Sequence, residues 1–442
     1  MNLTIPLPPE IEQVLETLHR NGFEGFVVGG AVRDSLLHRP ISDYDITTNA
    51  RPEQVKAMFE KTIDTGIQHG TVTVRVLGQS IEVTTYRIDG NYTDHRRPAA
   101  VSFSASLKDD AARRDFTINA MAYSPYDGFC DLFGGCTDLK NRCIQTVGNP
   151  DRRFTEDALR MLRAVRFACQ LGFSIHPATI ASIEHNAPLI RYISGERIKQ
   201  ELDKILLSDN LDALMTVPVL IQEILPQFFL CFQTPQNCAH HIYNVGVHTI
   251  KGIQAVRPEL PLRWAMLFHD LGKPFARKTD TNGHDHFKGH PIMSEIIAGH
   301  IMGRLHFSNA DRKRILTLVR YHDDRLKPSR VQIKQWLHRL GGKDLFLDLL
   351  EIQRADAAAQ APHLVAQKHA ILREVEQLYF DIEHNREPYL IQHLAVNGND
   401  LLKAGVQQKQ IGTMLHHLLE TVIINPTDNT GDFLLKEVKK YE

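Results

Sequence analysis

Three acidic residues in the first part of the chain have the types and spacing of a metal site. Asp43 and Asp45 are separated by one residue in a strand-like run, so their side chains are expected on the same side of the strand. Glu82 lies between two apolar residues of a later strand. Neighbouring carboxylates repel each other unless a cation holds them, and the three acids could hold two Mg²⁺ ions for an in-line displacement at phosphorus. Exposed acids on a strand are the alternative.

A pair of adjacent glycines precedes the acids. Gly29 and Gly30 follow a strand-like run, and Arg33 comes shortly after them at the start of a helix. Adjacent glycines let the backbone approach a phosphate closely, and a helix N-terminus supplies free N–H groups and a positive dipole. The pattern indicates a phosphate-binding turn, although turns from strand to helix often need glycine for structural reasons alone.

The elements that must position these residues form an α/β segment followed by a helical one. Hydrophobic periodicity predicts helices at residues 9–21 and 52–60, and strands at 24–28, 43–48, 71–77 and 80–87. After about Thr155 the strand pattern disappears. Helices are predicted there over residues 155–172 and 196–208, and the rest of the chain is helix-like and interrupted by prolines.

Length and composition describe a globular protein of several domains. A chain of 442 residues exceeds one ordinary core, and 43% hydrophobic with 23% charged residues is typical of a soluble protein. No apolar run is long enough to cross a membrane and no signal-peptide pattern begins the chain, which predicts a cytoplasmic protein without a membrane partner. The six cysteines lack zinc-ligand spacing and are interpreted as reduced thiols.

Local charge is more informative than the total charge. A net charge of −1 does not indicate a nucleic-acid-binding protein, but phosphate contacts depend on local clusters of basic residues. Such clusters occur at residues 96–97, 113–114, 152–153 and 160–166. Each cluster by itself is more often a solvated surface, so the clusters permit RNA binding without establishing it.

The order of the motifs resembles a known superfamily. GGAVRD, DYDITT and IEVTTYR, in this order, resemble the polymerase-beta-like nucleotidyltransferases. Four further motifs are similar to one branch, the class II CCA-adding tRNA nucleotidyltransferases, which share ancestry with bacterial poly(A) polymerases. These motifs are RRDFTINAMA (113–122), DLFGGCTDL (131–139), EDALRMLRAVRF (156–167) and GERIKQEL (195–202).

The resemblance implies a fold and an activity. The fold would be α+β, with a small mixed sheet and helices in the head and an all-helical neck and body. The activity would be the addition of C, C and A from CTP and ATP to the 3′ end of tRNA without a nucleic-acid template. Asp43, Asp45 and Glu82 would be catalytic, and the two aspartates would hold Mg²⁺.

The resemblance also assigns the nucleotide site. Asp157 and Arg160 would read the base edge of the incoming CTP or ATP, and Arg114, Asp115 and Asn119 would bind ribose and phosphate. A surface ion pair is the alternative for the first two, and helix capping for Asp115 and Asn119. The remaining predicted nucleotide-binding residues are Gly29, Gly30, Arg33, Arg163 and Arg166.

Two features separate CCA addition from related reactions. The basic-proline sequence Arg96-Arg97-Pro98 is similar to the flexible loop that the family needs to switch to A addition and that CC-only enzymes lack. The segment GIQHGTV after the helix at 52–60 is similar to CCA enzymes, whereas bacterial poly(A) polymerases tend to carry a basic segment there. Both features favour a CCA-adding enzyme.

The middle of the chain is rich in histidine and resembles the HD phosphohydrolases. The string that begins at His269-Asp270 continues Leu-Gly-Lys, and His248 and His290 flank it. Asp323, or the adjacent His322, is the last ligand that the resemblance implies. Imidazoles with a carboxylate suit a transition metal that activates water, and in this family such a module can hydrolyse 2′,3′-cyclic phosphates. Histidines of an ordinary core are the alternative.

These assignments predict a head at residues 1–150, a helical neck at 151–235, an HD domain at 236–345 and a helical tail at 346–442 that contacts tRNA. The expected partners are tRNA, CTP and ATP, and the oligomeric state stays open. The rival interpretations are a poly(A) polymerase or A-adding enzyme of the same fold, an HD signalling phosphohydrolase with a nucleotide-binding head, and a non-catalytic RNA-binding protein.

Overall fold

The structure is a computed structural model that describes residues 4–41, 43–90 and 101–440. The chain divides into two compact units, Met1–Pro226 and Gln227–Glu442. The strands of the first unit are β1 (Gly25–Val28), β2 (Asp45–Thr48), β3 (Thr62–Gly66), β4 (Thr71–Val76), β5 (Gln79–Thr85), β6 (Arg87–Asp89), β7 (Val101–Phe103), β8 (Ala122–Ser124), β9 (Gly128–Cys130), β10 (Cys143–Ile144) and β11 (Ser174–Ile175).

Ten helices of the first unit are described. They are α1 (Pro9–Arg20), α2 (Gly30–Leu36), α3 (Pro52–Met58), α4 (Leu107–Ala112), α5 (Gly135–Lys140), α6 (Pro150–Glu156), α7 (Leu159–Leu171), α8 (Pro177–Asn186), α9 (Gly195–Leu206) and α10 (Pro218–Ile224). Helix α1 shows why these segments are helical: Ile11, Val14, Leu15 and Leu18 recur at helical spacing and are all buried.

A seven-stranded mixed sheet is the centre of the first unit. Its strand order is β3-β4-β5-β2-β1-β8-β9, and the pairing of β2 with β5 is parallel whereas the other pairings are antiparallel. All four residues of β1 are buried, as expected for a central strand covered on both faces. The sheet confirms the predicted α+β head, and the helices after it confirm the predicted helical body.

The structure corrects two local predictions. Strand β2 begins at Asp45, because its partner β1 ends at Val28, so Asp43 lies before the strand and not within it. The helix predicted over 155–172 is two helices, α6 and α7. Asp157 interrupts them with an extended backbone (φ −139°, ψ 105°) and accepts a hydrogen bond from the Leu159 N–H at 3.1 Å, which caps the start of the second helix.

The second unit is helical apart from one short antiparallel pair, β12 (Lys278–Thr279) and β13 (Asp285–His286). The sequence predicted no strands after Thr155. This prediction is wrong for three strands of two residues each, β11 to β13. The helices of the unit are α11 (Pro226–Gln233), α12 (Val245–Ala255), α13 (Leu260–Phe268), α14 (Lys273–Ala276), α15 (His290–Arg304), α16 (Asn309–Tyr321), α17 (Arg330–Leu340), α18 (Lys343–Ala358), α19 (Pro362–His384), α20 (Gly398–Lys403), α21 (Ile411–Ile424) and α22 (Gly431–Val438).

The packing of the second unit places α13 at its centre. Helix α13 is buried from Leu262 to Phe268 and packs against α12, α16 and α18. Burial on all sides explains why the sequence here is apolar apart from Arg263, without the polar face of an amphipathic helix. The last three helices have a hydrophobic cluster of their own, which includes Leu401, Leu418, Val422 and Leu434.

Candidate functional site

The turn between β1 and α2 brings the backbone close to charged side chains. Gly29 has φ +72°, a conformation that favours glycine. A Cβ atom at this position would lie 3.4 Å from a guanidinium nitrogen of Arg114 and 3.9 Å from a carboxylate oxygen of Asp45. The backbone conformation is therefore what favours glycine here, and the two distances show that the turn adjoins the predicted acids.

The sheet register brings two of the three acids together. Asp45 on β2 is paired with Glu82 on the parallel strand β5, so both side chains leave the same face of the sheet. Asp43 precedes the strand. Burial raises the pKa of Asp45 above its ordinary value; the Arg114 guanidinium opposes this rise and the carboxylate of Asp43 adds to it. A cation would relieve the repulsion between the carboxylates.

The acids are arranged for a metal only in part. Within residues 4–41, 43–90 and 101–440, the groups of three ligand atoms that lie within 4.8 Å of one another are both in the second unit. Asp43, Asp45 and Glu82 do not form such a group. The three carboxylates lie in the same region of the molecule but do not by themselves form a complete set of metal ligands. A bound substrate would therefore have to supply further ligands.

A cavity of about 570 Å³ opens beside this face. Asp43 and Asp45 are among its lining residues, whereas Glu82 is not. Cationic side chains form much of the remaining wall, which suits a polyanionic ligand such as a triphosphate. The predicted nucleotide-binding residues that line it are Gly29, Gly30, Arg33, Arg114, Asp115, Asn119, Arg163 and Arg166.

Buried hydrogen bonds fix the polar wall of this cavity. Arg33 donates to the Asn119 side-chain oxygen at 2.7 Å and to both carboxylate oxygens of Asp34 at 3.0 and 2.7 Å. Arg163 donates to Asp115 at 2.8 and 2.5 Å, and Asn119 donates to the other oxygen of Asp115 at 3.1 Å. Burial alone would raise the pKa of Asp115, but Arg163 and these hydrogen bonds hold it well below its ordinary value. Asp115 therefore stays ionised and holds the wall in place.

An aromatic ring orients three of the cations. The guanidinium groups of Arg166, Arg33 and Arg163 lie 4.3, 5.0 and 5.5 Å from the ring centre of Phe167. Arg166 also forms a buried ion pair with Glu201, at 3.2 Å. Phe167 was not among the predicted site residues, although it ends the quoted motif EDALRMLRAVRF and lines the cavity.

The predicted base readers have other partners in this structure. Arg160 donates to the Glu156 carboxylate at 2.7 Å and to the backbone oxygen of Arg113 at 3.0 Å. Asp157 accepts from Arg197 at 3.0 Å. Neither Asp157 nor Arg160 is a lining residue of the cavity described above. The alternative, a surface ion pair between Asp157 and Arg160, is not observed either. Both side chains are largely buried in separate ion pairs.

Asp110 is a residue that the sequence reasoning missed. It is fully buried and accepts hydrogen bonds from Arg113 at 2.7 and 2.9 Å, from Arg114 at 3.2 Å and from Thr47 of β2 at 3.2 Å. Burial favours its neutral form, but the two guanidinium groups outweigh burial and lower its pKa. The signal was available, since Asp110 precedes both arginines at helical spacing. The predicted loop residues Arg96, Arg97 and Pro98 lie outside the described residues.

Histidines from four segments of the second unit converge on one cluster. In each of them the ring nitrogen Nδ1 contacts the backbone. The Nδ1 atoms of His248, His269, His290 and His322 lie 3.1, 2.6, 2.8 and 2.7 Å from backbone oxygens. A backbone carbonyl can only accept, so each Nδ1 carries a proton, and each Nε2 is directed at the carboxylates of the cluster, where a metal ion would take the place of a proton. This arrangement is typical of histidines that bind a metal.

The convergent nitrogens form two groups with carboxylates. One group is His248, His269 and Asp356, and the other is Asp270, His290 and His322. Asp270 joins them, because one of its oxygens lies 3.2 Å from His269 and the other lies 3.2 Å from His290. Among the described residues, both carboxylate oxygens of Asp270 and the Nε2 atom of His269 are buried without a hydrogen bond of good geometry. Such atoms fit a divalent cation.

The structure places the two alternatives for the last predicted ligand differently and brings a further carboxylate to the cluster. The side chain of Asp323 is exposed and lies outside both groups, whereas His322 belongs to one of them. The two residues are consecutive at the end of α16, and consecutive helical side chains point about 100° apart, so only one can face the cluster. Asp356 on α18 was missed because it is 108 residues away from its partner His248 and belongs to no recognisable string.

Charge in this cluster favours a cation. Burial lowers the basicity of His269, but Asp270 and Asp356 outweigh burial and raise its pKa to about 10. Lys273, buried beside them, places its Nζ 2.7 Å from Asp270 and donates to Gln236 at 2.8 Å. The carboxylates of Asp270 and Asp356 therefore attract the positive charge of the side chains beside them.

None of the helices in the described parts of the chain is long and apolar enough to span a membrane.

Comparison with known families confirms the predicted resemblance. Residues 25–145 match the family described as the poly A polymerase head domain, residues 172–228 match the probable RNA- and SrmB-binding site of polymerase A, and residues 246–360 match the HD domain. The chain thus carries, in this order, segments similar to a poly A polymerase head domain, to an RNA-binding region of polymerase A and to an HD domain.

Individual relatives narrow the resemblance to CCA-adding enzymes. The chain is 53% identical to the CCA-adding enzyme of Geobacillus thermodenitrificans over 193 residues, which are 44% of this chain and 48% of the relative. It therefore spans, in alignment, about half the length of the curated relatives it matches. The crystal structure of a Bacillus stearothermophilus CCA-adding enzyme with CTP matches at 28% identity and a TM-score of 0.68, covering 98% of both chains.

A third relative shares the fold. The Thermotoga maritima CCA-adding enzyme complexed with tRNA has a TM-score of 0.62 and covers 98% of this chain and 96% of its own, at 20% identity. Both solved structures thus share the fold of this chain over nearly its whole length.

Proposed function

We propose that this protein adds C, C and A from CTP and ATP to the 3′ end of tRNA in the cytosol. The observation that carries the proposal is the register of β2 and β5, which sets Asp45 beside Glu82 at the edge of a cavity with a largely cationic wall. The named relatives are CCA-adding enzymes, and one of them was solved with CTP.

In this proposal, Asp43 and Asp45 hold Mg²⁺ with the help of the triphosphate, and Glu82 completes the acidic face. The metal would neutralise the charge that develops on the phosphates during in-line displacement. The side chains of the chain itself position the nucleotide: Arg114 lies beside the glycine turn, and the ion pair of Asp115 with Arg163 holds the opposite wall. The raised pKa of Asp45 supports the fit of a cation.

We infer that Asp157 and Arg160 read the base. Both carry ion pairs in this structure, with Arg197 and Glu156 respectively. These partners would orient the two side chains, because Arg160 has five N–H donors and its bonds to Glu156 and Arg113 leave others for a base edge. Selection between bases would follow from the hydrogen bonds that a wrong base leaves unmade.

The domains would divide this work. The head, residues 1–150, would perform the transfer; the neck, 151–235, would read the base and contact RNA; and the tail, from 346 onwards, would contact tRNA. The HD domain would extend beyond the predicted border at residue 345, because Asp356 supplies one of its ligands. The loop at Arg96-Arg97-Pro98 would serve the switch from C to A.

Incubation with tRNA that lacks its 3′ end, and with one labelled nucleotide at a time, tests the activity. A CCA-adding enzyme incorporates C from CTP alone and incorporates A only once two C residues are present. Repeated A addition without C would identify a poly(A) polymerase, and A addition only to tRNA ending in CC would identify an A-adding enzyme. Incorporation of neither nucleotide would contradict the proposal.

We propose a second activity, metal-dependent hydrolysis of phosphoesters such as 2′,3′-cyclic phosphates, in the HD domain. Its support is the convergence of the Nε2 atoms of four histidines on Asp270 and Asp356. A transition metal would supply an activated water there, and the chain would hold the metal through His248, His269, Asp270, His290, His322 and Asp356. Elemental analysis of purified protein, together with hydrolysis of a cyclic-phosphate dinucleotide, tests it; protein that binds no metal after reconstitution would contradict it.

A further inference from the structure

A second cavity lies on the surface of the C-terminal unit, and none of its lining residues belongs to the head cavity or to the histidine cluster. It has a volume of about 250 Å³ and is lined by Arg325, Lys327, Gln332, Gln335, Trp336 and Arg339. The set contains three cations, two amides and one indole, and no carboxylate. Lining residues of this composition match the three parts of a nucleotide: the phosphate, the base edge and the base face.

The loop that carries two of the cations is held in place. The side chain of Leu326, between Arg325 and Lys327, is buried, and Gln353 donates a hydrogen bond to the backbone oxygen of Asp324 at 2.6 Å. The loop therefore presents Arg325 and Lys327 outwards from a fixed backbone. A fixed loop loses less conformational entropy when a ligand binds.

Helix α17 supplies the aromatic side of the cavity. Trp336 is half-buried and packs edge-to-face on Tyr321 with ring centres 5.3 Å apart. The Arg339 guanidinium lies over the Trp336 ring at 4.7 Å. A stacked arginine on an indole extends the flat surface on which a base can stack and adds positive charge beside it.

Cations near the cavity and cations in its wall differ in their carboxylate partners. Arg330 and Lys334, on the same helix, form ion pairs with Glu387, and Arg320 of α16 pairs with Glu295. Among the residues that the structure describes, Arg325, Lys327 and Arg339 have no carboxylate partner of this kind. Cations left unpaired around an aromatic ring are suited to bind the phosphates of an incoming strand.

We propose that this cavity binds one nucleotide of a single-stranded RNA, with the base on Trp336 and the flanking phosphates on Arg325, Lys327 and Arg339. Its volume is below the range of about 300–1,000 Å³ that is usual for complete small-molecule sites, which suits one unit of a longer strand. The proposal deepens the proposed function, on which it rests for the identity of the partner as RNA. The cavity adds to the unit of the HD domain an RNA contact that lies outside the predicted tail.

The fluorescence of Trp336 provides a local test in the full-length protein. The chain has two tryptophans, and Trp264 is buried in the core with 1% of its surface exposed, so a ligand in the cavity quenches mainly Trp336. We expect a short oligouridylate to quench the emission of the wild type and not that of Trp336→Phe. Oligouridylate is chosen because it contains neither C nor A, the bases that would favour binding in the cavity of the head.

Two exposed lysines form a matched pair of variants. Lys327→Gln removes a cation of the cavity, whereas Lys343→Gln removes one elsewhere in the same unit. Lys327→Gln should weaken quenching about fivefold at about 0.1 M salt and reduce the salt dependence by about one phosphate contact, and Lys343→Gln should change neither. Arg325→Gln should reproduce the effect of Lys327→Gln, which guards against a local change of fold in either variant.

Three results would overturn the proposal: no quenching of the wild type, equal affinities of Lys327→Gln and Lys343→Gln, or displacement of the RNA, measured as recovery of the Trp336 emission, by inorganic tripolyphosphate with an affinity equal to that of the oligouridylate. The last result would identify an anion site. The nucleotide-incorporation assay distinguishes a failure here from a failure of the proposed function. Incorporation without quenching would contradict only the proposed RNA contact at this cavity. Quenching without incorporation would contradict the proposed function but support the RNA contact.

Discussion

The head and the HD domain each gather carboxylates for a cation, but they are prepared for it to different degrees. In the head, Asp43 and Asp45 line an open cavity and form no closed ligand set. In the HD domain, four imidazoles are oriented by backbone carbonyls and all face buried carboxylates. An ion that arrives with a triphosphate needs an open, incomplete site, whereas a resident ion needs a complete one. The difference predicts that the two metals have different lifetimes on the protein.

The largest effect is expected in the head. Asp45→Asn should lower nucleotide addition by about a thousandfold or more, since it removes several kcal/mol of transition-state charge stabilisation. Rates of C and of A incorporation would be measured beside Asp64→Asn, which changes an exposed carboxylate on β3 of the same sheet. The tRNA affinity and the metal content of the HD domain should stay as in the wild type. A variant that keeps a tenth of the wild-type rate would place the metal elsewhere.

The next effect concerns the resident metal. Asp270→Asn should weaken the affinity for the transition metal by at least about a hundredfold, because the Asp270 carboxylate contacts both ligand groups. Asp356→Asn should weaken binding through one group, and Asp323→Asn, on the exposed neighbour of His322, should have no effect. Metal content after dialysis measures all three. Equal loss in Asp323→Asn would identify Asp323, and not His322, as the last predicted ligand.

Base selection is expected to change by less. Arg160→Ala should reduce the preference for CTP and ATP over UTP and GTP by about 5- to 150-fold, the equivalent of 1–3 kcal/mol for a lost base-edge contact. Arg152→Ala is the matched control, because Arg152 also contacts Glu156 but is mostly exposed. If both variants lose rate equally and keep their selectivity, Arg160 supports the fold of the neck and does not read the base.

The smallest effect tests packing beside the metal cluster. A Cβ atom at Gly272 would lie 2.4 Å from the backbone oxygen of His290, so Gly272→Ala should destabilise the second unit by about 1–3 kcal/mol and shift that histidine. Gly299→Ala, on α15 with open space around it, should be neutral or stabilise by up to about 1 kcal/mol. Thermal unfolding and metal content are the measurements. No difference between the two variants would mean that the turn after His269-Asp270 adapts freely.

Much of the local structure follows from the sequence, because it depends on neighbouring residues. The alternation in TVTVRV predicts β4, and the spacing of apolar residues in α1 predicts its buried face. The glycine turn, the acids of the head and the His269-Asp270 pair are recognisable because each occupies a short segment. These are interactions between residues a few positions apart, and the chain specifies them wherever the segment is placed.

Only the tertiary structure decided which distant residues meet. Asp110 holds Arg114 behind the head cavity, Asp157 separates two helices that periodicity joins, and His322 faces the metal cluster where Asp323 does not. Asp356 reaches His248 across 108 residues because α12 packs against α18. A shift of one residue, a rotation of about 100° around a helix, changes which side chain points inwards, and packing between helices sets that rotation. Short motifs therefore identify a site, while the closure of its ligand set depends on contacts that no local pattern contains.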